Sequence, residues 1–287
     1  MGSQVDDRDQ LTVLVTGFGV CLPVPVPVPR ALGAPRTAEV TQYGDTYAPA
    51  MSSGFGREQY PVNPSWEIAK DLPSYLPPLR AKDPNSRHAV HLPEVRILVY
   101  PEPIRVNYKV VRELVPSLWE TYKGGKVDIV VHIGMAGPRP FYCIERRGHR
   151  DGYKHPDVDG EKVDEDEERK PDSDWIWRGL PEEIETDLDP EDVLTRWQGH
   201  SSEDMDLRIS EDAGRYLCDF IYFSSLAQLW KQQRPRKVVF FHVPADASHT
   251  SIAQGRDLAI NLIRSIVESE VSKKKQEDES TEGGRDL

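Results

Sequence analysis

The chain has 287 residues, 38% of them hydrophobic, and its 48 Asp and Glu residues outnumber its 36 Lys and Arg residues to give a formal net charge of −12. This composition excludes a fully disordered chain. The acidic balance is unfavourable for binding nucleic acid or an anionic membrane. No apolar run is long enough to predict a signal peptide or a membrane span. The three cysteines contain no CxxC pair, so we expect neither a disulfide framework nor a zinc ribbon, and we expect a reducing, cytoplasmic location.

Apolar runs alternate with helical patterns along the chain. The runs at 11–17, 95–100, 127–134 and 237–243 predict strands that are covered on both faces of a sheet. Asn63 followed by Pro64 predicts a helix start. Further helices are predicted at 111–122, where Pro116 indicates a kink or a late start, after Cys218, and over 252–267. The alternation predicts an α/β sandwich with a mostly parallel central sheet.

Segments without these patterns delimit the predicted domain. We expect a disordered N-terminus at 1–10, a single α/β domain at 11–271 and a disordered, charged tail at 272–287. Inside the domain, a Pro-Val repeat opens an insertion at 22–62 that predicts polyproline II structure. The acidic run at 155–174 predicts a solvated loop, because it lacks the glycine and glutamate spacing of a calcium-binding loop.

A glycine-rich turn follows the first predicted strand. Gly17 and Gly19 begin a GxGxxG pattern, but Leu22 stands at the third glycine position and proline-rich sequence follows. The turn therefore does not predict a dinucleotide site. It still lies at a strand end, which is where open α/β sheets bind their ligands.

Three residues of catalytic type lie at predicted strand or helix ends. Cys218 comes just before an apolar helical run, His242 lies near the end of the last strand, and Glu145 follows the glycines that end the third strand. Taken singly, they are most simply interpreted as a core thiol, a structural histidine and a surface carboxylate. Together they are the residue types of a nucleophile, its base and an orienting acid, which a parallel sheet would bring to one edge.

At these residues the chain resembles the pyroglutamyl-peptidase I (5-oxoprolyl-peptidase) family of cysteine peptidases. The resemblance rests on TGFG at 16–19, NPSW at 63–66, the stretch from His132 through Glu145 to Tyr153, SEDAGRYLCDF at 210–220, and FFHVP at 240–244. It implies a three-layer α/β/α sandwich, an omega-peptidase that removes pyroglutamate from the N-terminus of peptides, a cytoplasmic location, and no metal or organic cofactor. It also implies that Cys218 is the nucleophile, His242 the general base and acid, and Glu145 the third member of the triad.

The resemblance also implies substrate-binding residues and exposes departures from the family. Phe18 matches the phenylalanine that packs on the pyrrolidone ring, and Met135 stands where bacterial members often have Gln. Where the family's first loop usually reads GFGPF, this chain has GFGVC, so Cys21 replaces a second ring-packing aromatic. Two alternatives stay open: a family member that binds peptides or partner proteins without hydrolysis, and a hydrolase that acts on other acylated amines.

Overall fold

The computed structural model describes residues 10–19, 61–79, 92–120, 125–137 and 139–283. Within these ranges the elements in chain order are β1 (Gln10–Gly17), α1 (Pro64–Ala69), β2 (Glu94–Val99), α2 (Tyr108–Leu118), β3 (Ile129–Met135), β4 (Tyr142–Glu145), β5 (Arg147–His149), α3 (Glu165–Glu168), β6 (Glu183–Glu185), α4 (Pro190–His200), β7 (Leu207–Ser210), α5 (Leu217–Lys231), β8 (Val238–Val243) and α6 (His249–Gly283). Nearly all of the predicted N-terminal segment and of the Pro-Val insertion lies outside the described residues, and so does Cys21.

A six-stranded sheet organises the described part of the chain, with strand order β2-β1-β3-β8-β4-β7. β1 pairs in parallel with β2 and β3, and β3 pairs in parallel with β8. β4 runs antiparallel to β8 and parallel to β7. The four apolar runs of the sequence form β1, β2, β3 and β8, which confirms the predicted, mostly parallel sheet.

Helices cover both faces of this sheet, which confirms the α/β/α sandwich. On one face α5 packs against β3, β8, α2 and the small sheet of β5 and β6, whereas α1, α4 and α6 lie on the other face. Each face has its own buried apolar cluster. Phe240 belongs to the α5 side and Phe241 to the α6 side, because successive residues of β8 point to opposite faces of the sheet.

Helix starts follow local sequence signals. The Asn63 side chain accepts a hydrogen bond of 3.1 Å from the Ser65 backbone N–H, and Pro64 occupies the first position of α1, as predicted. α2 begins at Tyr108, ahead of the predicted start, and Pro116 lies inside its C-terminal part, so the proline does not delay the helix. α5 begins at Leu217, which places Cys218 in its first turn.

Two predictions of disorder are corrected by the structure. The acidic run at 155–174 contains α3, and Asp157 within it is buried and accepts a hydrogen bond of 3.2 Å from the Tyr108 backbone N–H. Asp157 and Glu165 accept from backbone N–H groups, and Asp159 and Glu168 pair with arginines, whereas Asp164, Asp166 and Asp172 remain exposed. In the predicted tail, α6 continues to Gly283. Among the described residues, no helix combines the length and the apolar character that a membrane crossing needs.

Candidate active site

A histidine and a carboxylate form a buried pair between β8 and β4. Nδ1 of His242 donates to Oε1 of Glu145 at 2.6 Å. His242 is 3% exposed and Glu145 is 1% exposed. Composition alone favoured a surface position for Glu145, and that interpretation is wrong. Because Nδ1 bonds to the carboxylate, Nε2 is the imidazole nitrogen that remains to act on a neighbouring group.

The antiparallel β4 strand brings Glu145 to His242. Cys143 lies opposite His242 in the register, and Glu145 lies opposite Phe240, two residues earlier in β8. Residues two apart in a strand share a face, so Glu145 and His242 are diagonal neighbours on the same side of the sheet. A purely parallel sheet would have brought strand ends together. Here the contact forms because β4 is short and reversed.

Cys218 lies in the first turn of α5, over the strand that pairs with β8. An ideal Cβ built on Gly134 of β3 would lie 3.0 Å from the Cys218 sulfur. Gly134 is the Cα partner of His242 in the pairing of β3 with β8. The missing side chain at Gly134 therefore lets the thiol settle directly over β3, next to the strand that carries His242.

Glu145 is held in its ionised form despite its burial. Burial raises the pKa of Glu145. The hydrogen bond and charge of His242, a hydrogen bond with Ser210 and the charge of Arg139 lower it by more, so the net pKa lies below the ordinary value. Arg139 donates from Nη1 to Glu145 Oε1 at 2.8 Å. A carboxylate in this state can orient the imidazole and stabilise its protonated form.

A second thiol, Cys143, also contacts Glu145. Its sulfur donates to Glu145 Oε1 at 3.5 Å and accepts from Arg139 Nη1 at 3.2 Å. Burial, followed by the Glu145 charge, raises the pKa of Cys143 to about 12. It therefore stays a neutral thiol, unsuited to act as a nucleophile.

Donor atoms of Cys143, Glu145 and His242 lie within 4.8 Å of one another, a spacing that could accommodate a metal ion. The guanidinium of Arg139 already contacts both the sulfur and the carboxylate, so it would repel a second cation. These donors therefore do not fit a metal centre.

The two predicted substrate-binding residues follow neighbouring strands. Phe18 comes directly after β1, is 4% exposed, and donates its backbone N–H to Ser65 Oγ at 3.1 Å. Met135 ends β3 and is partly exposed. Since β1 and β3 pair in parallel, with Gly17 opposite Ile133, both residues lie at the carboxyl edge of the sheet.

A buried acid follows Cys218 in the sequence. The carboxylate of Asp219 accepts from the His149 backbone N–H at 3.1 Å and from the Tyr153 hydroxyl at 3.2 Å, and Arg215 lies 3.5 Å away. Burial raises the pKa of Asp219 to about 6 against the opposing effects of His149 and Arg215. These contacts tie the first turn of α5 to β5 and to the segment that follows it.

Sequence reasoning missed the residue that pairs with Glu145 from the solvent side. The basic residues next to Glu145 in the sequence bind elsewhere: Arg146 and Arg147 both pair with Glu211. Arg139, six positions earlier, is the arginine that reaches the carboxylate. No spacing rule for a strand or a helix singles out this residue, because it lies in the loop before β4.

The comparisons with known proteins identify the family. No family model matches the chain. Human pyroglutamyl-peptidase 1 is 31% identical over 193 residues, which covers 67% of this chain and 77% of the human protein. A pyrrolidone-carboxylate peptidase from Bacillus cereus (strain Q1) is 24% identical over 221 residues, covering 75% of this chain and 85% of the bacterial protein.

Solved structures agree in fold. A mutant pyrrolidone carboxyl peptidase from Pyrococcus furiosus matches 90% of this chain and 99% of its own with a TM-score of 0.55 at 20% identity. Pyroglutamyl peptidase I from Bacillus amyloliquefaciens matches 90% of this chain and 95% of its own, also with a TM-score of 0.55, at 19% identity. With the human relative above 30% identity over most of its length, the chain belongs to the pyroglutamyl-peptidase I family.

Proposed function

We propose that this protein is a cysteine peptidase that hydrolyses the amide bond after an N-terminal pyroglutamyl residue. Cys218 is the nucleophile, His242 the general base and acid, and Glu145 the orienting carboxylate. The observation that carries the proposal is the buried hydrogen bond of 2.6 Å between His242 and Glu145, next to a thiol at a helix N-terminus. The relationship to human pyroglutamyl-peptidase 1 supports the same reaction.

In each half of the reaction, His242 accepts a proton and then gives it up. The Cys218 sulfur attacks the carbonyl carbon of the pyroglutamyl amide, while the thiol proton passes to His242. As the tetrahedral intermediate collapses, His242 gives this proton to the leaving amine nitrogen, and a thioester on Cys218 remains. Water, deprotonated by His242, then attacks the thioester and releases pyroglutamate with the regenerated thiol. The Glu145 carboxylate stabilises the imidazolium that forms in each half of the reaction.

The start of α5 supports both the nucleophile and the oxyanion. A helix N-terminus favours a thiolate over a thiol, because its peptide dipoles carry partial positive charge there. The Tyr216 side chain makes no capping hydrogen bond to this end. We assign the backbone N–H groups of this turn as oxyanion donors, and each donor in other acyl-transfer sites is worth about 3 kcal/mol.

Pocket chemistry accounts for the choice of pyroglutamate. A pyroglutamyl residue is a neutral lactam, whereas an ordinary peptide N-terminus carries a charged amine that is costly to desolvate. Phe18 packs on the lactam ring and Met135 lines the same edge of the sheet. Because the mechanism needs a reduced Cys218, we further infer that the protein works in a reducing compartment such as the cytosol.

The test is release of a fluorescent amine from a pyroglutamyl-amide substrate under reducing conditions. Wild type should turn over, and Cys218→Ala should lose activity by at least about a thousandfold, the scale seen when a catalytic nucleophile is removed. Cys143→Ser is assayed beside it, because Cys143 is the other described cysteine. Since the Cys143 sulfur contacts Glu145, this change should lower turnover, but to a much smaller extent than Cys218→Ala. Retained activity in Cys218→Ala would exclude it as the nucleophile.

Alkylation separates the proposal from its alternatives. Iodoacetamide should modify Cys218 ahead of Cys143, whose raised pKa of about 12 keeps it protonated, and a pyroglutamyl analogue should slow the modification. Protection without turnover would indicate a binding protein that does not hydrolyse its ligand. Turnover of acetyl or formyl amides but not of pyroglutamyl amides would indicate a hydrolase of other acylated amines.

A further inference from the structure

Arg139 makes a convergent set of contacts at the solvent side of the His242–Glu145 pair. Its Nη1 donates to Glu145 Oε1 at 2.8 Å, to the Cys143 sulfur at 3.2 Å and to Ser210 Oγ at 3.3 Å. Its Nη2 donates to the backbone oxygen of Asp212 at 2.7 Å. The guanidinium therefore joins the loop before β4 to β4, to β7 and to the loop after β7.

The burial of its partner distinguishes this contact from an ordinary surface ion pair. The Glu145 side chain is fully buried, and the Arg139 side chain is 26% exposed. Surface ion pairs contribute little because water screens both charges. Here one charge has no contact with water, and its oxygen Oε1 accepts from Arg139 and from His242 at the same time.

We propose that Arg139 is a positioning residue that holds the Glu145 carboxylate against His242 and sets the lower pH limit of the enzyme's activity. The proposal rests on the proposed function, in which Glu145 orients His242. Arg139 acts through Glu145 and does not touch the reacting atoms. Its fork lets one nitrogen bind the carboxylate while the other is anchored on the Asp212 carbonyl. Glu145 Oε1 is thus held from two directions, by Arg139 and by His242.

The direction of the pH effect follows from the charges around Glu145. Among the described residues, the titratable groups next to Glu145 are His242 from β8, Cys143 from β4, Tyr222 from α5 and Arg139 from the loop. Cys218 lies over Gly134, the strand partner of His242. Of the titratable groups, Arg139 carries a permanent positive charge, which contributes to the lowered pKa of Glu145. Removing that charge raises the pKa of Glu145, so the carboxylate is lost at a higher pH. The acid limb of activity therefore moves upward when Arg139 is removed.

The experiment compares pH profiles of kcat and KM for wild type, Arg139→Met and a matched control. Arg236→Met is the control, because the Arg236 side chain is 24% exposed, pairs with Asp187 and also donates to a backbone carbonyl, that of Glu185, at 3.0 Å. For Arg139→Met we expect the acid limb of kcat to move up by about one pH unit, the lower end of the effect of an adjacent opposite charge. This equals a loss of about tenfold on the acid side, with KM changed by less than about twofold.

Chemical rescue tests the guanidinium itself. Millimolar guanidinium chloride should move the acid limb of Arg139→Ala back toward wild type and leave Arg236→Ala unchanged. An acid limb at the wild-type pH in Arg139→Met, or a loss confined to KM, would overturn the proposal. If Arg139→Met does not fold, Arg139→Lys takes its place, because it keeps the charge but loses the forked guanidinium. The acid limb should then stay near that of wild type while kcat falls. A wild-type kcat in this variant would overturn the proposal.

A readout without a peptide substrate separates this inference from the proposed function. The rate of Cys218 alkylation against pH depends on the charge state of the neighbouring pair and should show the same upward shift in Arg139→Met. If wild type does not cleave pyroglutamyl amides, the proposed function fails. The alkylation profile would then still support the role of Arg139 if shifted, or contradict it if unshifted.

Discussion

Gly134→Ala places a methyl group between the sheet and α5, the helix that carries the proposed nucleophile Cys218. The added Cβ would lie 2.4 Å from Cζ and 2.7 Å from Cε1 of Phe240, and 3.0 Å from the Cys218 sulfur. Carbon atoms pack at about 3.5–4.0 Å, so either the Phe240 ring or the backbone must move by about 1 Å. Phe240 is fully buried and has little room to do so.

Both stability and turnover should fall. Overpacking a filled core costs about 1–3 kcal/mol. Displacing a reacting group by about 1 Å can lower the rate about a hundredfold, and the sulfur needs a smaller shift than the ring. We therefore expect urea unfolding to show a loss in that range and kcat to fall by about ten- to a hundredfold.

Gly255→Ala is the matched packing control. Its Cβ would lie 2.4 Å from Cδ1 of Ile68, in the apolar cluster on the opposite face of the sheet. The clash is equally close but lies away from the thiol, so kcat should stay within about threefold of wild type even where stability falls. The reasoning is refuted if Gly134→Ala keeps the unfolding free energy and turnover of wild type, or if both variants lose turnover in the same proportion.

Two predictions concern stability alone. Burial lowers the pKa of His132 to about 3. Between pH 6.5 and 3 the unfolded chain therefore binds a proton that the folded chain does not, and the free energy of unfolding falls as the pH falls. From pH 6.5 to 5 the loss amounts to about 2 kcal/mol. Urea unfolding of His132→Gln should show a shallower decline over this range, and equal slopes would contradict the assignment. Asp189 caps α4 by accepting from the backbone N–H groups of Glu191 and Asp192 at 3.1 and 3.0 Å. Asp189→Ala should therefore lower the free energy of unfolding by about 1 kcal/mol, and Asp189→Asn, which also accepts such bonds, should lower it by less. Equal losses in the two variants would count against the cap.

The long apolar elements were predictable from sequence because burial on both faces leaves continuous runs, as in β1, β3 and β8. The missed strands β4 to β7 have three or four residues each, too few to display an alternation. α4 begins with Asp189 followed by Pro190, the same signal as Asn63 and Pro64, and could have been found. The catalytic residue types were apparent, but the burial of Glu145 was not, because its partner His242 lies 97 positions away in the chain.

Directional contacts explain how α5 can hold the thiol in place. Apolar packing alone allows a helix to slide or rotate, since it has no preferred direction. Along α5, Asp219 binds β5, the Tyr222 hydroxyl donates to the Glu145 carbonyl at 2.8 Å, and Ser225 Oγ is hydrogen-bonded with His132 of β3 at 2.8 Å.

These three side chains lie in the N-terminal part of α5 and bind three different strands. Each bond is buried, so breaking it would leave an unpaired polar group at a cost of about 1–3 kcal/mol. A slide or a rotation of the helix would break all three at once. The position of Cys218 over Gly134 is therefore fixed by polar groups of the core, none of which is a side chain of the proposed triad.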